Sequence, residues 1–235
     1  GDLGMSYSAK KPVVDRMLDA LPGTVMLAGT ALVFTLLYAL PAGIISALNR
    51  NKWIDYLLRT ASFVGVSMPT FWLGLVLIYI FGLKLGLVPI ASSRVTATGV
   101  ILPAITLAVV VGSKYMRQVR LVILEEMQKD YVIGARARGV SEVKILFGHI
   151  LPNAVLPLIT ILGVLIGWLL GGVAVVEMVF AWPGLGNMAV YAITMRDYPL
   201  IEGFVLWVAL AYMCINALVD ASYILLDPRL KRERA

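Results

Sequence analysis

Five long apolar runs divide this chain, at about residues 22–48, 60–82, 101–122, 153–176 and 201–226. A helical membrane crossing takes roughly 20 consecutive apolar residues, so each run is long enough to span a bilayer. In a chain of 235 residues with only 14% charged, no ordinary soluble domain can bury that much apolar helix. The mean hydropathy of +0.88 agrees. The expected fold class is therefore all-α: a polytopic membrane bundle with five predicted transmembrane helices. Residues 22–226 form one membrane domain, preceded by a polar segment 1–21 and followed by a basic tail 227–235.

Prolines inside these runs predict helices that pack on one another, since neighbours must satisfy the carbonyls a proline frees. Pro41 is expected to kink the first span near its end, and Pro69 lies near the middle of the second. The distribution of Lys and Arg orients the bundle. Fourteen fall on one side of the alternating loops: Arg50, Lys52, Arg59, seven between Lys114 and Lys144, and four in the tail; only six, including Lys10, Arg16 and Arg196, fall on the other. The first side is expected to be cytoplasmic. Segment 1–21 is then external with no signal peptide, which predicts one further helix upstream and six in all. The net charge of +6 belongs to loops beside spans, so it points to membrane lipid and topology and not to nucleic acid.

The longest cytoplasmic stretch, 123–152, has legible punctuation. Residues Glu125 to Arg138 favour helix, with acids early and arginines late as the helix dipole prefers. Gly139 is expected to cap that helix and Ser141 to open a second one before Glu142. There Val143, Leu146, Phe147 and Ile150 recur at i, i+3, i+4 and i+7, an apolar stripe. Pro152 marks the approach to the next span. The product is a helical corner projecting into the cytosol, suited to a groove on a soluble partner; a pair of helices lying on the lipid surface is the plainer alternative.

Other residue patterns mostly exclude chemistry. One cysteine, Cys214, and one histidine, His149, cannot build a disulfide framework or a multi-histidine metal site. No phosphate-binding glycine loop is present, so ATP hydrolysis by this chain is not expected. Ser113 and Lys114 are sequence neighbours and do not face each other on a helix, so they make no hydrolase dyad. Lys114 is expected to snorkel to the cytoplasmic interface. Asp220 is expected to pair with an interface arginine, whereas Glu177, near the outer mouth, divides evenly between a structural role and a place at the pathway or gate. Pro69, Thr70, Asn153 and Asn216 are further pathway candidates. The asparagines, Thr70 and Thr160 are also expected to bond between helices.

The stretch DYVIGARARGVSEVKILFGHILPNAVLPLIT resembles the cytoplasmic signature loop of type I ATP-binding-cassette importer permeases. In that pattern Gly134, Ala135 and Arg136 stand where Glu-Ala-Ala is usual, Gly139 at the invariant-type glycine, and His149, Leu151 and Pro152 in the closing Ile-x-Leu-Pro element. Gly134, Arg136 and His149 depart from it. GDLGMSYSAKKPV and VVEMVFAWPGLGNMAVYAITMRDYPLIEG are similar to the dipeptide, oligopeptide and nickel permease branch, first-subunit type, without its first helix. The resemblance implies a bacterial or archaeal plasma-membrane permease for peptides, glutathione or a nickel chelate. It also implies a second permease, two cytoplasmic ATPases and an extracytoplasmic binding protein as partners. Gly134, Ala135, Arg136, Arg138, Gly139, Ser141, Glu142, His149, Leu151 and Pro152 would form the ATPase-coupling loop. The chain itself would be no enzyme and bind no cofactor, ATP and Mg being used by the ATPases. The alternative, a secondary transporter or channel without an ATPase, predicts internal repeats and several midplane charges, and neither is visible in the sequence.

Overall fold

A computed structural model describes residues 2–92 and 94–226, and among them every regular element is helical. The expected tail 227–235 lies outside the described residues. Helix α1 (Val13–Leu48) is a continuous 36-residue helix that runs unbroken through Pro22 and Pro41. It begins nine residues before the expected span, because the segment after Pro12 is itself good helix former and Val13 buries against Leu185, Met188 and Leu200. At about 1.5 Å per residue α1 is longer than a bilayer core and extends beyond it.

The run at 60–82 is not a single straight span. Helix α2 (Trp53–Ser67) and helix α3 (Thr70–Leu77, continuing as a π-helical segment over Ile78–Lys84) meet at a bend of 100°. Met68 precedes Pro69 and is held extended, at φ −75° and ψ 127°, which stops the helix. Three helices are long and apolar enough to cross a membrane, Val13–Leu48, Glu142–Leu169 and Tyr198–Ser222, and the bent pair makes a fourth if it is one span. The expected 101–122 span is α4 (Ile101–Glu126), 26 residues long and mostly buried at the centre of the bundle. It is long enough to cross, but Lys114, Arg117 and Arg120 dilute its inner half.

Beyond α4 the expected single helix 125–138 is divided. The turn 127–129 separates α4 from α5 (Asp130–Ala137). A short α6 (Glu142–Ile145) then passes through a π-helical turn, Leu146–Ile150, into α7 (Leu151–Gly172). Pro152 stands at the start of α7, as expected of a residue marking the approach to the span, and directly follows the π-helical turn. Helix α7 stops at Gly172, short of the expected 176, and Glu177 sits on a separate helix α8 (Ala174–Val179). Helix α9 (Leu185–Thr194) is the expected short helix before the last span, α10 (Tyr198–Leu226).

Packing is centred on α4, with α1 along one flank, α2 and α3 on another and α7 on a third. The α1 face that meets α4 is built of small residues, Ala28, Ala31, Thr35, Ala39, Gly43 and Ala47, so the two helices approach closely. One apolar core joins Leu27, Leu107, Leu169 and Trp182; a second joins Tyr115, Ile123, Ile145 and Ile150 and reaches the corner. Helix α10 is mostly exposed along its length.

Candidate functional site

At one end of the bundle, which we call the corner end, α5 closes with both hydrogen bonds of a Schellman cap: Gly139 N donates to Arg136 O at 2.9 Å and Val140 N to Ala135 O at 3.2 Å. Gly139 takes φ +77°, where a side chain is strained although the space around it is open. Ser141 precedes α6 as expected, but its side chain caps nothing. The brace across the corner comes instead from Arg136, whose Nε and Nη2 donate to the two Glu142 oxygens at 2.7 and 3.0 Å.

The apolar stripe expected on α6 divides between two faces, because the π-helical turn shifts its register. Ile145, Leu146 and Ile150 turn into the core with Val132 and Ala135, whereas Val143 and Phe147 are 68% and 65% exposed. The outward pair sits one turn apart on the corner's free side. Gly134 is half-buried with only Arg138 near the position a Cβ would take, so nothing in this chain demands glycine there. Arg138 provides the backbone of the cap. His149 is half-buried and its carbonyl accepts from Asn153 Nδ2 at 2.6 Å; Leu151 is half-buried and Pro152 exposed.

The base of the corner is tied down by groups the sequence reading did not single out. Glu126, buried at the end of α4, accepts from Lys129 Nζ and from the Tyr131 hydroxyl. Burial, and then that bond to Glu126, pushes Tyr131 up to about 12. Deeper in, Asp55 of α2 is fully buried and accepts from Arg120 Nε and Nη2 at 2.8 Å each, from Ser46 Oγ at 2.6 Å and from Asn51 N at 3.0 Å. This ion pair joins α1, α2 and α4 at the level where α4 leads into the corner. Its only sequence signal was a lone acid at the head of an apolar helix.

The opposite end, the loop end, shows where the other two motif segments meet. Glu177 is fully buried and accepts from Thr24 Oγ1 at 2.7 Å and Asn187 N at 2.8 Å, while Leu185 N donates to Thr24 Oγ1 at 2.8 Å. Trp182 Nε1 donates to Gly23 O at 2.8 Å. Glu177 thus fastens the 180–184 loop and the start of α9 to α1. Asp197 accepts from Ser6 Oγ at 2.5 Å, Ser8 N at 3.0 Å and Ser8 Oγ at 2.7 Å, pinning the N-terminal segment. Burial raises the Asp197 carboxyl, but the bonds from Ser6 and Ser8 outweigh it and hold the group well below the usual carboxylate range.

Gly23 touches Pro183 so closely that an added Cβ would collide with the Pro183 carbonyl, which is backbone and cannot swing away. Gly23→Ala is therefore expected to cost about 1–3 kcal/mol, read as a lower midpoint of thermal unfolding in detergent. An unchanged midpoint would show the loop to be loosely held.

The remaining candidates are not brought together with these groups. Pro69 and Thr70 lie at the α2–α3 bend, beside an apolar groove of about 530 Å³ lined by Phe63, Ser67, Met68, Phe71 and Trp72. Asn153 is exposed at the base of the corner, where it bonds to His149 O, far along the fold from Glu177 at the loop end. Asn216 and Asp220 are exposed on α10, and among the described residues Asp220 forms no ion pair; the arginines of the basic tail lie outside them. Thr160 donates to Leu156 O within its own helix at 3.0 Å. Lys114 does not snorkel toward the corner end. Its Nζ sits 5.8 Å from the ring centre of Trp168, near the far end of α7. A helical side chain leans toward its helix N-terminus, which for α4 is the loop end.

A bundle of long apolar helices, pinned at one end and carrying a capped corner at the other, is the architecture of a multi-pass membrane protein. Residues 39–232 match the profile of the binding-protein-dependent transport system inner membrane component family, and the chain belongs to that family of ATP-binding-cassette importer permeases. It is 38% identical over 231 residues to the glutathione transport system permease protein GsiC of Escherichia coli K12, covering 98% of this chain and 75% of that protein. The same identity and coverage relate it to GsiC of Shigella flexneri serotype 5b. The fold is similar to inward-facing structures of the MetNI methionine ABC transporter, with TM-score 0.72 at 20% identity over 90% of this chain and 96% of that one. It is also similar to an amino acid ABC transporter, with TM-score 0.66 at 17% identity over 88% and 92%.

Proposed function

We propose that this chain is the permease subunit through which an ATP-driven importer moves di- or oligopeptides or a related solute such as glutathione or a nickel chelate. It does so with a second homologous permease, two cytoplasmic ATPases and an extracytoplasmic binding protein. The single observation that carries the reading is the corner 130–150: capped by Gly139, braced by Arg136 and Glu142, exposing Val143 and Phe147, and continuous with α7 through the Leu146–Ile150 turn. A corner built in that way transmits a push on its apolar knob into a long apolar helix with little lost motion.

Positive charge clusters at the corner end, so that end is cytoplasmic and the loop end external. The knob then seats in a groove of one ATPase, and closure of the ATPase pair on ATP and Mg rocks α7 and α4 between inward-open and outward-open arrangements. ATP hydrolysis is assigned to the ATPases, since no phosphate-binding loop is visible in this sequence. Charges left without partners midway along α4 line the route. Coexpression with neighbouring genes, followed by detergent purification, tests the assembly: an ATPase and a second permease are expected to remain bound. A chain that purifies alone would favour transport without an ATPase.

The Arg136–Glu142 brace is exposed, so its energetic contribution is small even though its geometry is bidentate. Hydrogen bonds from Arg136 hold the Glu142 carboxyl below its usual range. A carboxyl whose folded pKa is depressed stabilises the fold above its ordinary pKa, and that contribution is lost as pH falls through the lowered value. Glu142→Gln is expected to cost no more than about 1 kcal/mol at neutral pH and nothing in strong acid, measured by unfolding at both pH values.

A further inference from the structure

The cations of α4, of α5 and of the turn between them fall into two groups. Arg120, Lys129 and Arg136 each have a carboxylate partner. Lys114 and Arg117 have none among the described residues; they rest on aromatic rings, Lys114 Nζ 5.8 Å from the centre of Trp168 and Arg117 Cζ 5.2 Å from that of Phe63. The Arg117 Nε is buried without a hydrogen-bond partner. Lys114 is exposed, and so are Gln118 and Leu121 at i+4 and i+7, which makes one open face on an otherwise buried helix. Lys114 lies six residues, about 9 Å, above Arg120 toward the loop end. An unpaired ammonium at that depth is not stable against lipid tails and marks a water-filled cavity or a polar ligand.

We propose that Lys114, held over Trp168, is a solute-contact residue that reads a carboxylate of the transported molecule, with Arg117 one turn below as the next anion contact. This rests on the transport reading above and narrows its substrate class to solutes bearing a carboxylate. A ring is a weak resting partner for a cation, so the ammonium keeps its N–H donors for an incoming anion and releases it again. A permanent structural partner would be a carboxylate, as it is for Arg120.

The test uses the complete complex with its ATPases and second permease, stripped of other reactive cysteines and carrying Cys214→Ser. Gln118→Cys places a thiol one turn from Lys114 on the same face. It is expected to react faster with a sulfonate-bearing methanethiosulfonate than with a trimethylammonium-bearing one, by roughly tenfold relative to a free thiol, the effect of one nearby charge on reagents of opposite sign. Lys114→Met removes the preference and Lys114→Arg keeps it. Trialanine slows the modification, and trialanine C-terminal amide does not. A thiol unreactive toward both reagents would mean that lipid or the second permease covers this face, and the proposal fails. It fails too if Lys114→Met leaves the preference unchanged, or if the amide protects as well as the acid. Retention of the ATPase in the same preparation checks the transport reading separately.

Discussion

Gly139→Val is expected to uncouple import from ATP hydrolysis while the complex still assembles in the membrane. The space around Gly139 is open, so valine meets no neighbour, but it must adopt φ +77°. A left-handed conformation costs a residue with a Cβ about 1–2 kcal/mol, more for a β-branched one. The rest of the bundle does not depend on that turn, so the penalty falls on the corner alone: the Schellman bonds of Gly139 and Val140 open and the knob of Val143 and Phe147 loses its angle to α7. A shift of that size changes the population of the correct corner by roughly five- to thirtyfold. Solute uptake into proteoliposomes should fall by a similar factor, with ATPase activity persisting. Gly139→Asn, which tolerates the left-handed region, should retain most of the uptake. Equal uptake by the valine variant and the unmodified protein would remove the corner from the coupling mechanism.

Arg120→Ala should be the most destabilising of the substitutions considered. It leaves Asp55 fully buried with Ser46 Oγ and Asn51 N as its remaining donors and no compensating charge. Breaking a buried pair from one side costs about 3–5 kcal/mol, which for a chain of this size corresponds to roughly 6–20 °C in the unfolding midpoint. The paired replacement Asp55→Asn with Arg120→Met should recover much of that loss, since Asn still accepts from Ser46 and neither position then holds a buried charge. If the single and paired variants unfold together, the ion pair does not hold α1, α2 and α4 in place. Because the pair sits where α4 enters the corner, a change in coupling at unchanged stability is a second readout.

Much of this molecule was legible before any coordinates. Long apolar runs announce membrane helices. Gly139 announces the bend, because only glycine turns readily left-handed at the end of a helix. The family pattern placed the chain among importer permeases, and the match over residues 39–232 agrees. Details failed where a local signal met a packing decision. The second span was broken at Met68, since proline restricts its predecessor strongly enough to end α2. The α6 stripe divided because a π-helical turn altered the spacing on which the helical pattern rests. The partner of Glu177 was not legible, because Thr24 lies more than 150 residues away in the chain.

The sequence by itself determined that the chain is a bundle of membrane helices with a capped corner between two of them, because hydropathy, periodicity and backbone preference are properties of neighbouring residues. Only the tertiary structure decided which partner each buried charge meets. Asp55 meets Arg120, Glu177 meets Thr24 and Asp197 meets Ser6, while Lys114 and Arg117 rest on aromatic rings. Those pairings join residues distant in the chain, and the cost of burying a charge, which selects them, depends on what the fold places within a few ångströms.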